Sequence, residues 1–183
     1  MEVNKVLVIV VVLFVLLTLI EVLLSKLKKN RLNKLMHLLM EQNFEEFDAL
    51  LEKNSTKFFV PIYNSIIFKV NKSLILHDSK SVEELMSEAS KIKMNDDQAL
   101  YLYSKVFSYY LSLKDVKKCE EYYQEIMKCK DCPTKEYVAM VYDTLIKKGY
   151  QYIEKAEKML ENATDADKEN LQSLIAAMYA NKG

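Results

Sequence analysis

Residues 6–20 read VLVIVVVLFVLLTLI, fifteen positions without a charge. After Glu21 the apolar run resumes as Val22, Leu23 and Leu24. At the helical rise, these nineteen residues extend about 28 Å, the thickness of a bilayer core. Glu21 falls in the last turn, where a carboxylate reaches headgroups and water; at the centre of a span it would cost far more. A buried helix of a soluble protein normally keeps a polar face, and this stretch has none. A cleaved signal peptide needs a basic start and a small-residue cleavage site. Here only Lys5 precedes the run, and Ser25-Lys26-Leu27-Lys28-Lys29 follows it. The segment therefore reads as an uncleaved signal anchor, with a helix expected over 4–25.

The flanking charge sets an orientation. Lys26, Lys28, Lys29, Arg31 and Lys34 crowd the C-terminal side, and no acid intervenes before Glu41. The positive-inside rule places the N-terminus outside and the remaining chain in the cytoplasm, at the plasma membrane. The same five residues form a collar able to contact anionic lipid headgroups, at about 1 kcal/mol per charge. The whole chain carries 26 basic and 26 acidic residues. Residues 1–40 hold six of the former and two of the latter, which leaves the remainder with 20 and 24. A mildly acidic body of this kind gives no footprint for nucleic acid.

Beyond the collar the pattern is helical throughout, with no alternating strand signal. Two glycines and two prolines in 183 residues disfavour sandwiches, small barrels and glycine-rich phosphate loops. Cap signals recur as Asn43 with Glu46, Ser81 with Glu84, Asn95 with Gln98, and Thr164 with Asp167. Pro61 and Pro133 fall near helix starts. The expected order is hairpins over 30–54, 57–92, 96–129 and 134–162, then a closing helix over 165–180. Leu171, Leu174, Ile175 and Met178 form one face of that last helix.

Four segments align as a repeat: FEEFDALLEKN from Phe44, VEELMSEASKI from Val82, VKKCEEYYQEI from Val116 and IEKAEKMLENA from Ile153. The third position on holds Phe47, Leu85, Cys119 and Ala156; the seventh holds Leu51, Ala89, Tyr123 and Leu160. A hairpin of this length cannot bury its apolar face alone and needs a neighbour. The pattern resembles the tetratricopeptide repeat (TPR) family over residues 31–183. Its best-matching unit has Ile153, Ala156, Leu160 and Ala163 after Gly149. Another unit supplies Tyr103, Val106, Phe107 and Tyr110 at core positions of its first helix. Departures are the absent tryptophan, Phe107 at a small-residue position, a longer loop around His77–Lys80, and two extra residues between Gly149 and Ala156. The resulting expectation is an all-α chain: a transmembrane anchor with its collar over 1–29, then a TPR-like α-solenoid over 30–183. The resemblance implies a concave groove lined by Tyr101, Ser104, Ser108 and Leu111, then Ala139, Asp143 and Ile146. That groove lacks the basic clamp of the subtype that binds chaperone tails. Protein partners are expected, and the function is that of a membrane-anchored scaffold or adaptor.

Groups that carry chemistry are sparse. Cys129-Lys130-Asp131-Cys132 has redox or half-zinc spacing, but no second pair completes a zinc site and no strand precedes it. His37 and His77 are isolated. Glu45/Glu46, Glu83/Glu84 and Glu120/Glu121 recur near helix starts and read as solvated charges that favour the macrodipole. No Ser-His-Asp set, H-E-x-x-H or P-loop occurs. The expectation is a non-enzyme with no catalytic residue, metal or cofactor. Eleven of the twelve tyrosines lie between Tyr101 and Tyr179. Tyr103, Tyr110 and Tyr123 suit core positions, whereas Tyr101, Tyr109, Tyr122 and Tyr152 have less need of burial. Sequons at Asn54, Asn71 and Asn162, with the C-x-x-C pair, support an alternative: an extracytoplasmic, membrane-anchored chaperone or envelope-assembly factor. The collar opposes it.

Overall fold

The computed structural model describes residues 2–183, with the side chains at 2–6, 8, 9 and 166 left aside. Among the described residues the fold is all-α, with no strand. Ten helices follow in order: α1 (Glu2–Met40), α2 (Phe44–Glu52), α3 (Asn54–Phe59), α4 (Ile62–Ile75), α5 (Ser79–Ala89), α6 (Asp96–Ser112), α7 (Val116–Met127), α8 (Pro133–Leu145), α9 (Ile153–Glu161) and α10 (Asp165–Lys182). They form two compact units, Met1–Lys93 and Met94–Gly183.

The first correction concerns α1. The expected break between an anchor ending at residue 25 and a helix starting at 30 is absent; one helix of 39 residues, about 58 Å, runs through both. Ser25, Asn30 and Asn33 are modest helix formers, but Leu, Lys, Arg and Met around them favour the helix and no Gly or Pro interrupts it. The helix changes environment without changing conformation. The described apolar side chains from Leu7 to Leu27 are exposed. From Leu35 onward the inward face is buried, with Leu35, Leu38 and Leu39 at helical spacing. By length and composition α1 can cross a membrane.

In the first unit α1 packs on α2, α3 and α4, and α4 packs on α5. Its core joins Leu35, Leu38 and Leu39 to Phe47, Leu50, Leu51, Val60 and Phe68. The Phe47 and Phe68 rings meet edge-on, 6.2 Å apart. In the second unit α6 packs on α7 and α8, α7 on α8, and α10 on α8 and α9.

Three hairpin turns share one geometry. Gln42, His77 and Lys114 have φ of 56°, 53° and 59°, the left-handed region. The next residue, Asn43, Asp78 or Asp115, donates its N–H to the carbonyl five residues back, on Leu38, Ser73 or Tyr110. This is the Schellman closure. The same residue then caps the following helix, accepting from the N–H of Glu46, Ser81 or Lys118. One residue thus closes one helix through its backbone N–H and starts the next through its side chain. The loop around His77–Lys80 is accordingly as short as the others, a second correction.

That cap also corrects the repeat register. Asp78 caps α5, not Ser81; its carboxylate takes both the N–H and the hydroxyl of Ser81. Those bonds, the hydroxyl's first, hold the Asp78 carboxyl below its usual range. The sequence alignment places Val82 beside Phe44, whereas the caps place it beside Phe47, a slip of three residues. Counted from the first residue before each helix, the fourth position holds Phe47, Val82, Cys119 and Ala156, each with 0% exposure. Val116, expected at the leading apolar position, is exposed.

Of the other cap signals, Asn95 with Gln98 forms as expected, whereas Thr164 makes no side-chain bond to the backbone of α10. Asn95 and Gln98 form a reciprocal capping box. Thr164 precedes α10, its hydroxyl donating to Asp167 at 2.6 Å. Pro133 occupies the first turn of α8, and Pro61 immediately precedes α4. Leu171, Leu174 and Met178 are buried as the face of α10, with Ile175 half-buried beside them.

Candidate functional site

Tyr101, Ser104, Ser108 and Leu111 share one face of α6 by their spacing, and Asp143 stands near the end of α8. Tyr101 and Ser108 are exposed, whereas Ser104, Leu111 and Asp143 are half-buried. The Ser104 hydroxyl and Asp143 Oδ2 are enclosed without a hydrogen-bond partner. Ala139 and Ile146 are also half-buried on and after α8. None of these residues lines a described cavity.

The largest described cavity lies elsewhere in the same unit. It has a volume of about 830 Å³ between α8, α9 and α10, and its lining includes Tyr137, Met159, Leu171, Lys155, Lys158 and Asp167. Burial pushes the Tyr137 hydroxyl above its ordinary pKa, with Asp167 adding to the effect. The sequence marked the α10 face, but α8 and α9 had to be placed before the groove between them could be seen. A second cavity, about 390 Å³, lies between α2, α4 and α5.

The tyrosines of the second unit chiefly form packing. Tyr109 and Tyr122 are buried, which corrects the expectation that they had less need of the interior. Tyr122 stacks on Tyr110 at 5.7 Å and 5°, and Tyr123 on Tyr142 at 3.9 Å and 7°. Stacked rings add contact energy to the area they bury. Tyr142 is 1% exposed, and its hydroxyl donates to Glu120. Burial raises the Tyr142 pKa well above the ordinary range, and the Glu120 carboxylate raises it further. The same bond holds Glu120 below the usual carboxylate range. Glu120 thus has a specific partner. Tyr101 remains exposed, with Lys105 5.3 Å from its ring centroid, and Tyr152 is half-buried.

The three cysteines are free thiols. Cys119 is wholly buried, and desolvation pushes its pKa up to about 11. Cys129 and Cys132 occupy the α7–α8 connection. The Cys129 thiol lies 3.8 Å from the Glu125 carbonyl, and Cys132 Sγ accepts from Lys135 N–H at 3.5 Å as the cap of α8. Lys135 Nζ bonds the Cys129 carbonyl at 2.7 Å, closing the turn. Burial and, next, Asp96 raise the Cys129 pKa. A raised pKa works against the thiolate that redox or nucleophilic chemistry uses. His37 is exposed, 2.9 Å from Glu41, and His77 is a turn residue. Among the described residues no three His, Cys, Asp or Glu side chains are grouped to hold a metal.

The collar is solvent-facing at Lys26, Lys28, Lys29 and Lys34. Arg31 differs: it is half-buried, and its Nη2 donates to Ser55 Oγ at 3.3 Å, latching α3 to α1. Comparison with known proteins matches no family model, no curated protein and no solved structure.

Proposed function

We propose that the chain is a membrane-anchored interaction scaffold. Its apolar α1 segment spans the plasma membrane, and its TPR-like helical body lies in the cytoplasm and recruits a protein partner. One observation carries the reading: α1 presents an apolar surface to its surroundings along its first half and then, without a break, becomes the core helix of a hairpin-built unit. Surface of that extent is what a protein places in lipid. The recurrent turns and the shared buried fourth position support the repeat. The collar supports the cytoplasmic side. On this reading the body is not an enzyme. The shielded Cys119 and the raised Cys129 pKa favour structural roles for the thiols.

The partner surface proposed is the α6 face of Tyr101, Ser104, Ser108 and Leu111, with Asp143 of α8. A photo-crosslinking residue at Tyr101 or Ser108, in the full chain in native membranes, tests it. A discrete crosslinked protein is expected from these sites and not from Glu161. Equal products from all three positions, or none from any, would remove the assignment.

A further inference from the structure

We propose that the first unit has a second contact with the membrane: the tip at Phe58–Ile62 rests in the headgroup–acyl boundary beside the anchor. This rests on the reading of α1 as a spanning helix.

The register of α3 against α1 carries the argument. Ser55 meets Arg31, through the 3.3 Å hydrogen bond. Further along, Phe58, Phe59 and Pro61 share a cavity of about 330 Å³ with Leu24, Ser25 and Lys28. Moving from Ser55 to Pro61 therefore moves back along α1, from the collar to the end of the apolar run. A nineteen-residue span ending at Leu24 fills the hydrocarbon thickness, so this tip stands at the bilayer interface.

The chemistry of the tip suits that height. Residues 58–62 read FFVPI, with no charge. Phe58 is 79% exposed and Ile62 59% exposed, whereas Val60 between them is buried in the core. Two apolar side chains are thus held outward on a backbone fixed from within. Lys26, Lys28 and Lys29 are exposed at the same level of α1. Apolar side chains rimmed by lysines match an anionic lipid surface. From this tip α4 runs the other way. Its Lys72 lies 5.7 Å from the ring centroid of Phe44, beyond the far end of α1. The exposed Leu76 follows α4 about 20 Å along its axis and marks the opposite end.

The chain has no tryptophan, so one introduced indole reports alone. Phe58→Trp, Ile62→Trp, Leu76→Trp and Leu16→Trp are each placed in the full chain. Each is reconstituted in phosphatidylcholine–phosphatidylglycerol vesicles whose acyl chains are brominated either near the headgroup or near the chain end. Leu16→Trp should be quenched most by the deep bromine. Phe58→Trp and Ile62→Trp should be quenched by the shallow bromine, at least half as strongly as the deep bromine quenches Leu16→Trp. Leu76→Trp should keep its emission. Quenching at Leu16 with none at 58 and 62 overturns the second contact and leaves the anchor. No quenching at Leu16 overturns the anchor, and this proposal with it. A blue shift at 58 without bromine quenching shows protein over the tip and also overturns it.

Discussion

Asp143 fills the space that a side chain at Gly149 would need. A Cβ built on Gly149 lies 2.0 Å from Asp143 Oδ2 and 2.5 Å from its Cγ. The Gly149 N–H donates to the Asp143 carbonyl at 2.9 Å, and Asn181 Nδ2 bonds the carbonyls of Thr144 and Gly149. The interior glycine therefore sits where the α8–α9 turn, the Asp143 carboxylate and the end of α10 converge. Gly149→Ala should destabilise the chain by roughly 1–3 kcal/mol, the usual cost of overpacking. Adding Asp143→Ala should recover most of that loss. Denaturant unfolding of the four members of this cycle checks it; additive losses would show that the two residues do not compete for the space.

The turn at Lys114 should improve with glycine. Lys114 holds φ at 59°, which costs a residue with a Cβ roughly 1–2 kcal/mol. Glycine removes that strain but loses more conformational entropy on folding. Lys114→Gly should be stabilising by about 0.5–1 kcal/mol, whereas Lys117→Gly, in the first turn of α7, should be destabilising, by less than the roughly 1 kcal/mol of a helix interior. Opposite signs three residues apart, read from unfolding midpoints, identify the left-handed turn.

Such turns show what the sequence conceals. Low glycine content is compatible with tight hairpins because Gln42, His77 and Lys114 take the left-handed position. Nothing in those residue types announces it. The Asn95–Gln98 box was legible because both partners are local. The Asp78 cap was not, since Asp78 and Ser81 both offer an oxygen three residues apart. Only the bonds actually formed decide between them. The apolar half of α1 was legible by its lack of a polar face. Its continuity to Met40 was not, because Asn30 also suits a helix start. Tyr109 and Tyr122 illustrate a further limit: their burial depends on α6 meeting α7, a contact that periodicity alone does not place. The proposed partner face depends on a resemblance, and no local interaction in the sequence specifies it.

Alkaline pH should expose the buried thiol. In the unfolded chain Cys119 ionises near its ordinary 9.0, whereas in the folded chain it holds its proton up to about 11. Its stabilising contribution is thus complete below pH 9 and is lost as pH rises to about 11. Cys119→Ala should reduce the fall in stability across that window. Some slope should persist above pH 10, because the raised pKa of Tyr142 acts with the same sign. Under native conditions iodoacetamide should modify the half-buried Cys132 before Cys119, as read by peptide mass. Prompt labelling of Cys119 would contradict its enclosure.

The most direct test of the central claim is protease digestion of right-side-out membrane vesicles carrying the full chain with a C-terminal epitope. With α1 as an uncleaved anchor and the helical body in the cytoplasm, the epitope should stay in the membrane fraction at near full-length mass until detergent opens the vesicles, and then disappear. Loss of the epitope before detergent, or a soluble product lacking the apolar segment, would contradict it.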